Sequence, residues 1–212
     1  MLGDLWSFQG RYRTLHLTWI AFFLTFVVWF NLAPLATTVK ADLGLTVGQI
    51  RTVAICNVAL TIPARVLIGM LLDKFGPRIT YSSILVFSAI PCLLFASAQD
   101  FNQLVVARLL LSIVGAGFVI GIRMVAEWFP PKEIGLAEGI YGGWGNFGSA
   151  FSALTMVALA GFLSFSGGFE LPTGAVLNWR GAIALTGIVS AVYGLFYFFN
   201  VTDTPPGKTY QR

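Results

Sequence analysis

The chain contains four long runs without a single charged side chain, and these runs restrict what it can fold into. They cover residues 15–39, 79–99, 139–169 and 181–202. A helix needs about 20 mostly apolar residues to cross the roughly 30 Å hydrocarbon core of a bilayer. Each run is therefore long enough to form a membrane-spanning helix.

Two further apolar stretches, around residues 49–72 and 102–126, are interrupted only by isolated charges. Charged residues make up 10% of the 212-residue chain, whereas soluble domains carry about 25%. Six such segments leave too little polar surface to cover a soluble core. We therefore predict an all-α membrane protein with six transmembrane helices, at residues 15–38, 49–72, 79–98, 102–126, 134–163 and 180–201.

The basic residues of the predicted loops indicate the orientation. If the N-terminus is inside, the inner segments carry seven Lys and Arg residues and the outer segments three, namely Lys40, Arg51 and Arg180. The positive-inside rule then places both termini in the cytoplasm. We expect a multi-pass protein of the cell membrane, with a cytoplasmic N-terminus (1–14), a six-helix bundle (15–201) and the start of a central cytoplasmic loop (202–212). The first apolar run is too long for a signal peptide.

Several functional classes lack support in the sequence. Cys56, Cys92 and the single histidine, His16, form no cluster with metal-ligand spacing, and no Ser–His–Asp set can be assembled. We therefore predict no enzyme, no metal site and no cofactor. The net charge of +4 is spread over loops, so the lipid bilayer is a predicted partner and nucleic acid is not.

Arg65 is an unusual residue because it lies inside an apolar helix. If Asp73 marks the cytoplasmic end of that helix, eight residues at ~1.5 Å each place Arg65 ~12 Å into the membrane. The same arithmetic places Asn146 ~18 Å, Phe118 ~15 Å and Phe26 ~16 Å deep. A cation, an amide and two aromatic rings therefore share the central part of a ~30 Å core.

An arginine near the midplane costs about 2.5–3.5 kcal/mol on insertion scales, so it needs a partner. All nine acidic residues lie in loops or near predicted helix ends. The partner is then water, a backbone carbonyl, a segment outside the chain or an anionic substrate. A guanidinium offers two parallel N–H donors, which suit a small planar oxyanion.

Glycines are concentrated in the fifth predicted helix. Small residues let helix backbones approach closely in lipid, and Gly139 and Gly143 have the spacing typical of such contacts. We predict helix-packing roles for Gly139, Gly142, Gly143, Gly145 and Gly148.

Three motifs resemble those of a known transporter family. The segment "GMLLDKFGPR" (69–78) is similar to the loop 2–3 signature of the major facilitator superfamily, and "RLLLSIVGAG" (108–117) resembles its helix 4 motif. The segment "GGWGNFGSA" (142–150) resembles the nitrate signature of the nitrate/nitrite porter family within that superfamily. Arg65, eleven residues before Gly76, lies where that family has its anion-binding arginine in helix 2.

The resemblance implies roles for individual residues. Arg65 would bind the anion, Asn146 would donate to it, and Phe26 and Phe118 would lie on the two faces of the planar ion. Gating and structural roles would fall to Gly69, Asp73, Lys74, Gly76, Arg78 and Arg108.

The resemblance also implies a function and an architecture. The function would be nitrate or nitrite transport by alternating access, as used in nitrate assimilation. The six helices would be the N-terminal half of a twelve-helix fold, so the partner would be a second six-helix half, in the same full-length chain or in a separate one. Transport of another small anion or organic solute, and a non-transporting membrane assembly subunit, remain alternatives.

Overall fold

The computed structural model describes residues 7–210, so residues 1–6 and 211–212 of the predicted terminal segments lie outside the described residues. The described chain is dominated by helices. They are α1 (Gly10–Phe30), α2 (Ala36–Asp42), α3 (Val47–Ala59), α4 (Thr61–Phe87), α5 (Ala89–Ser97), α6 (Phe101–Ser112), α7 (Phe118–Trp128), α8 (Pro131–Phe162) and α9 (Trp179–Asn200). Short 3₁₀ segments occur at Ala33–Leu35, Ile113–Gly117 and Leu163–Ser166.

Consecutive helices join into five segments that are long and apolar enough to cross a membrane. They are Gly10–Asp42, Val47–Ser97, Phe101–Trp128, Pro131–Ser166 and Trp179–Asn200. The segment Val47–Ser97 has 51 residues and contains the second and third predicted spans. The expected loop at 73–78 is reduced to one non-helical residue within α4, Gly76, with φ 83° and ψ 165°.

The two parts of this long segment run in opposite directions on either side of Gly76. Before Gly76, Asn57 contacts Arg108 and Leu72 contacts Tyr210. After Gly76, Arg78 bonds to Asp203, Ser88 to Ser190, and Ala96 and Ala98 to Arg180. Residue numbers therefore rise along α4–α5 while they fall along α9, which defines an antiparallel pair. Glycine adopts the positive φ at position 76 without strain, whereas other residues would be strained there.

A small β-hairpin follows α8 in the otherwise helical described chain. The strands β1 (Phe169–Glu170) and β2 (Val176–Leu177) pair in antiparallel register, with Phe169 opposite Leu177. The strands lie outside the apolar spans, because α8 ends at Phe162 and the 3₁₀ segment Leu163–Ser166 leads out of it.

Polar contacts tie the helix ends together at both ends of the bundle. At one end Arg11 pairs with Glu133 at 2.9 Å, and the Arg13 guanidinium donates to the Asn200 side chain at 2.9 Å. At the other end the Trp179 indole N–H donates to the Asp42 carboxylate at 2.8 Å. Both ends of the described chain, near residues 7–14 and 202–210, thus lie at the same end of the bundle.

Candidate anion-binding site

An aromatic cluster around Phe22 brings two predicted site residues together. The Phe22 side chain is almost completely buried, and its ring centroid lies 4.5 Å from that of Phe26 and 5.3 Å from that of Phe118. The Tyr141 ring stacks on Phe22 at 4.9 Å and donates its hydroxyl to the carbonyl of Phe118 at 2.9 Å. Phe26 on α1 and Phe118 on α7 therefore meet through a third ring, which was not among the predicted site residues.

The glycines of α8 divide into two faces. A Cβ at Gly145 would overlap the Phe22 ring, and one at Gly148 would overlap the carbonyl of Phe23 and lie 3.0 Å from the Cβ of Phe26. Only residues without a Cβ fit between α8 and α1 at these two positions.

On the other face, three glycines with a predicted packing role meet no neighbouring helix of the described chain. At Gly139, Gly142 and Gly143, a Cβ would have no atom of the described residues within 4 Å apart from its own stretch of helix. Gly139 and Gly143 instead line an open groove on α8 beside Trp144 and Phe147. The helical rotation of about 100° per residue turns these positions away from α1.

Asn146 lies on the exposed side of α8. Its side-chain amide donates to the carbonyl of Gly142, one turn earlier, at 2.7 Å, and makes no other hydrogen bond among residues 7–210. The amide group is thus held on its own helix and stays accessible from outside the bundle.

Arg65 is also exposed, and within residues 7–210 it forms no ion pair or hydrogen bond. Its neighbours Ile62, Val66 and Leu67 are exposed apolar side chains. No hydrogen bond joins Arg65 to Asn146, and no cation–π contact joins it to Phe26 or Phe118, in the described part of the chain. The guanidinium is therefore a charge without a partner on an apolar helix face, which is costly in a membrane.

The loop motif forms a close contact with the end of the chain. The Asp203 carboxylate accepts the backbone N–H of Arg78 at 2.7 Å, and a Cβ at Gly76 would lie 2.7 Å from the same oxygen. The Arg78 guanidinium lies 4.7 Å from the centroid of the Phe198 ring. Two motif glycines therefore differ, because Gly76 is needed for this approach and Gly69 has open space beside it.

Two of the three charged residues of the motif lie at the surface. Asp73 and Lys74 are exposed, and the Lys74 ammonium lies 5.2 Å from the ring of Phe75. Among the described residues, Asp73 forms no ion pair.

Arg108 is fully buried and has no carboxylate partner within residues 7–210. Its guanidinium donates to the side-chain oxygens of Asn31 at 2.9 Å and Asn57 at 3.2 Å. It also lies 4.6 Å from the centroid of the Phe95 ring. Amide acceptors and an aromatic face replace a counter-ion here.

The residues that carry these motifs match a known family profile. The Major Facilitator Superfamily profile matches residues 18–212, which is nearly the whole chain. The chain belongs to the major facilitator superfamily. Crystal structures of a bacterial homologue of the human lysosomal transporter Spinster have the same fold as this chain. The inward-facing, occupied form has a TM-score of 0.72 and 21% sequence identity over 93% of this chain and 45% of that one.

Two relatives are much more similar to this chain in sequence than the Spinster homologue is. The nitrate/nitrite transporter NrtP of Picosynechococcus sp. is 63% identical and NrtP of Nostoc punctiforme is 60% identical, both over 100% of this chain. The chain spans 42% and 41% of their lengths. The predicted resemblance to the nitrate/nitrite porters of the major facilitator superfamily and the multi-pass membrane location are confirmed.

Several residues that contact the predicted residues were not predicted from the sequence. Asp203 carries a signal, since it is the first acidic residue after the charge-free run 181–202. Asn31 and Asn57 are polar residues in apolar predicted spans, which also distinguishes them. Tyr141 and Phe22 carry no such signal, because aromatic residues are frequent throughout these helices.

Proposed function

We propose that the chain is the anion-binding, N-terminal six-helix half of a nitrate/nitrite transporter. The observation that carries the proposal is Arg65, a cation on an apolar span that has no protein partner among the described residues. The names of the two relatives with 63% and 60% identity supply the nature of the anion. A planar oxyanion would accept two parallel N–H donors from this guanidinium.

In this proposal the anion contacts four side chains. Arg65 neutralises its charge and Asn146 donates a further hydrogen bond, for which its amide must turn away from the carbonyl of Gly142. Phe26 and Phe118 lie against the faces of the ion. The support is that the two rings already meet around Phe22 and that both polar groups are accessible from outside the bundle.

The proposed topology has six spans with both termini in the cytoplasm. The 51-residue segment Val47–Ser97 would extend about 76 Å as a straight helix at 1.5 Å per residue. That is more than twice a ~30 Å hydrocarbon core, and the segment reverses direction at Gly76. Two crossings by this segment and one by each of the other four give six.

Alternating access requires a second six-helix half on the other side of the anion. The exposed faces of α4 around Arg65 and of α8 around Asn146 would meet it, and the groove beside Gly139 and Gly143 would receive its side chains. Asp73, Lys74, Gly76 and Arg78 would close the cytoplasmic side, while Arg108 would hold the outer half together. The ion moves without covalent change, so we assign no catalytic residue.

Nitrate uptake by proteoliposomes tests the proposal, with the protein expressed from its complete gene. Arg65→Lys should lose most of the uptake although it keeps the charge, because an ammonium cannot reproduce the planar fork. The control is Arg51→Lys, the same exchange at an exposed residue outside the proposed anion contacts and the proposed cytoplasmic closure. Near-normal uptake by an Arg65→Lys protein that inserts normally would refute the role of Arg65. A wild-type protein that transports another small anion or an organic solute, or none, would support the alternatives.

A further inference from the structure

The second predicted span is broken shortly before Arg65. Helix α3 ends at Ala59, Leu60 leaves helical geometry with φ −94° and ψ 3°, and α4 begins at Thr61. Pro63 explains the break, since it has no N–H to donate to the carbonyl of Ala59. The direction in which α4 presents Arg65 therefore depends on the groups that hold this break.

Side chains of two neighbouring helices hold the end of α3. The Asn57 amide donates to the carbonyl of Trp29 at 2.9 Å, and the Trp29 indole N–H donates to the carbonyl of Asn57 at 2.7 Å. The side-chain oxygen of Asn57 accepts from Arg108 at 3.2 Å. Asn57 thus uses its side-chain donor, its side-chain acceptor and its backbone carbonyl in contacts with other helices.

Ser112 holds the start of α4. The Leu60 backbone N–H donates to its hydroxyl and the Thr61 hydroxyl donates to its carbonyl, both at 3.3 Å. Ser112 directly precedes the 3₁₀ segment Ile113–Gly117, which leads to Phe118. The break before Arg65 and the irregular segment before Phe118 are therefore hydrogen-bonded to each other.

The Trp29 ring extends the same cluster to Phe26. Its centroid lies 5.4 Å from that of Phe26, and a Cβ at Gly115 would lie 2.7 Å from its Cε2 atom. One indole thus contacts Asn57 just before the break, a predicted site ring and the 3₁₀ segment. Interrupted helices line substrate sites in secondary transporters, and side chains of neighbouring helices satisfy their freed backbone groups.

We propose that Asn57, together with Trp29, is a positioning residue for the anion site. It fixes the break at Leu60 and so sets the direction in which Arg65 leaves α4, without touching the anion itself. This inference rests on the proposed function. Asn31 provides a matched comparison, because its side-chain oxygen accepts from the same Arg108 guanidinium, at 2.9 Å, but it lies on the segment after α1, away from the break.

The first test compares Asn57→Ala with Asn31→Ala in nitrate uptake by proteoliposomes, using protein from the complete gene. Each variant removes one amide acceptor from Arg108. We expect the apparent KM for nitrate to rise about tenfold or more in Asn57→Ala while the maximal rate per folded protein is retained, which indicates lost substrate binding. Asn31→Ala should lower the melting temperature but change the KM less than about threefold. Similar KM values for the two variants would overturn the inference.

The second test does not depend on the nature of the anion. Arg65→Cys is made in a Cys56→Ala and Cys92→Ala background, and the reaction rate of the new thiol with a charged methanethiosulfonate is measured. Adding Asn57→Ala should change that rate several-fold, and adding Asn31→Ala should not. If wild-type protein takes up no nitrate but this difference is found, the proposed function fails and the positioning role stands. Equal thiol rates would refute the positioning role whatever the substrate.

A further variant serves if Asn57→Ala yields too little folded protein. Trp29→Phe removes the indole N–H that reaches the carbonyl of Asn57 and keeps an aromatic ring beside Phe26. We expect the same shift in KM and in thiol rate as for Asn57→Ala. Unchanged values in a folded Trp29→Phe protein would contradict the proposal.

Discussion

Asn146 shows how a single side chain can be available for a ligand. It is exposed, and its amide binds only the carbonyl of Gly142 within the described residues. We predict that Asn146→Ala weakens nitrate binding tenfold or more, since a hydrogen bond to a charged group contributes about 1.5–3 kcal/mol. The melting temperature should change little, because the lost bond is an exposed one within its own helix. Calorimetric titration with nitrate and thermal unfolding of the same preparations measure both effects.

Ser149→Ala is the control for this prediction. Ser149 lies one turn further along α8 and donates its hydroxyl to the carbonyl of Asn146 at 2.8 Å, so it resembles Asn146 in bonding but has no proposed contact with the anion. Its variant should keep the nitrate affinity. A loss of thermal stability in Asn146→Ala as large as its loss of affinity would show that Asn146 serves the fold instead.

The sequence reveals single residues when their chemistry conflicts with their surroundings. Arg65 is visible because a charge in an apolar helix needs a partner, whatever the fold around it. Asn57 and Trp29 bond to each other between two helices, and the spacing of residues along the chain does not encode such a contact. Asp203 lies 127 residues after Gly76 in the chain, yet its carboxylate approaches that glycine closely.

Helix α8 contains glycines of two kinds, and a pair of substitutions separates them. Gly145→Leu should destabilise the protein strongly, because a side chain there would overlap the buried Phe22 ring. Overpacking of a core typically costs about 1–3 kcal/mol. Gly143→Leu should leave the melting temperature of the chain nearly unchanged, since its side chain would enter open space. Thermal unfolding of the 212-residue chain in detergent compares the two variants directly.

The opposite order of melting temperatures would mean that α8 turns its other face towards α1.

The two glycines belong to one glycine-rich motif, so composition could not tell them apart. Their separation comes from the phase of the helix, because two steps of about 100° each place positions 143 and 145 on nearly opposite sides. The existence of the helices was predictable from the length of the apolar runs. The single-residue reversal at Gly76 and the break at Leu60 were not, because backbone geometry and contacts with other helices decide them.

For the whole molecule, the distribution of titratable groups bears on how transport is driven. Proton-coupled carriers usually place Asp, Glu or His along the path. Among residues 7–210, Asp73, Glu127 and Glu133 lie near the proposed cytoplasmic end, and Glu138 lies two turns into α8. None of these four forms an ion pair with Arg65 in the described part of the chain, which leaves a positively charged site to be neutralised by the anion itself.

We therefore predict anion exchange, in which nitrate and nitrite alternately neutralise Arg65. An empty site with an unpaired cation should resist closure, because a closed site would remove that charge from water. Nitrate uptake into proteoliposomes should depend on nitrite inside and should not follow an imposed pH gradient. Liposomes loaded with sulfate of equal ionic strength are the control, and the complete gene supplies the protein. Uptake that follows the pH gradient and ignores internal nitrite would rule out obligatory exchange.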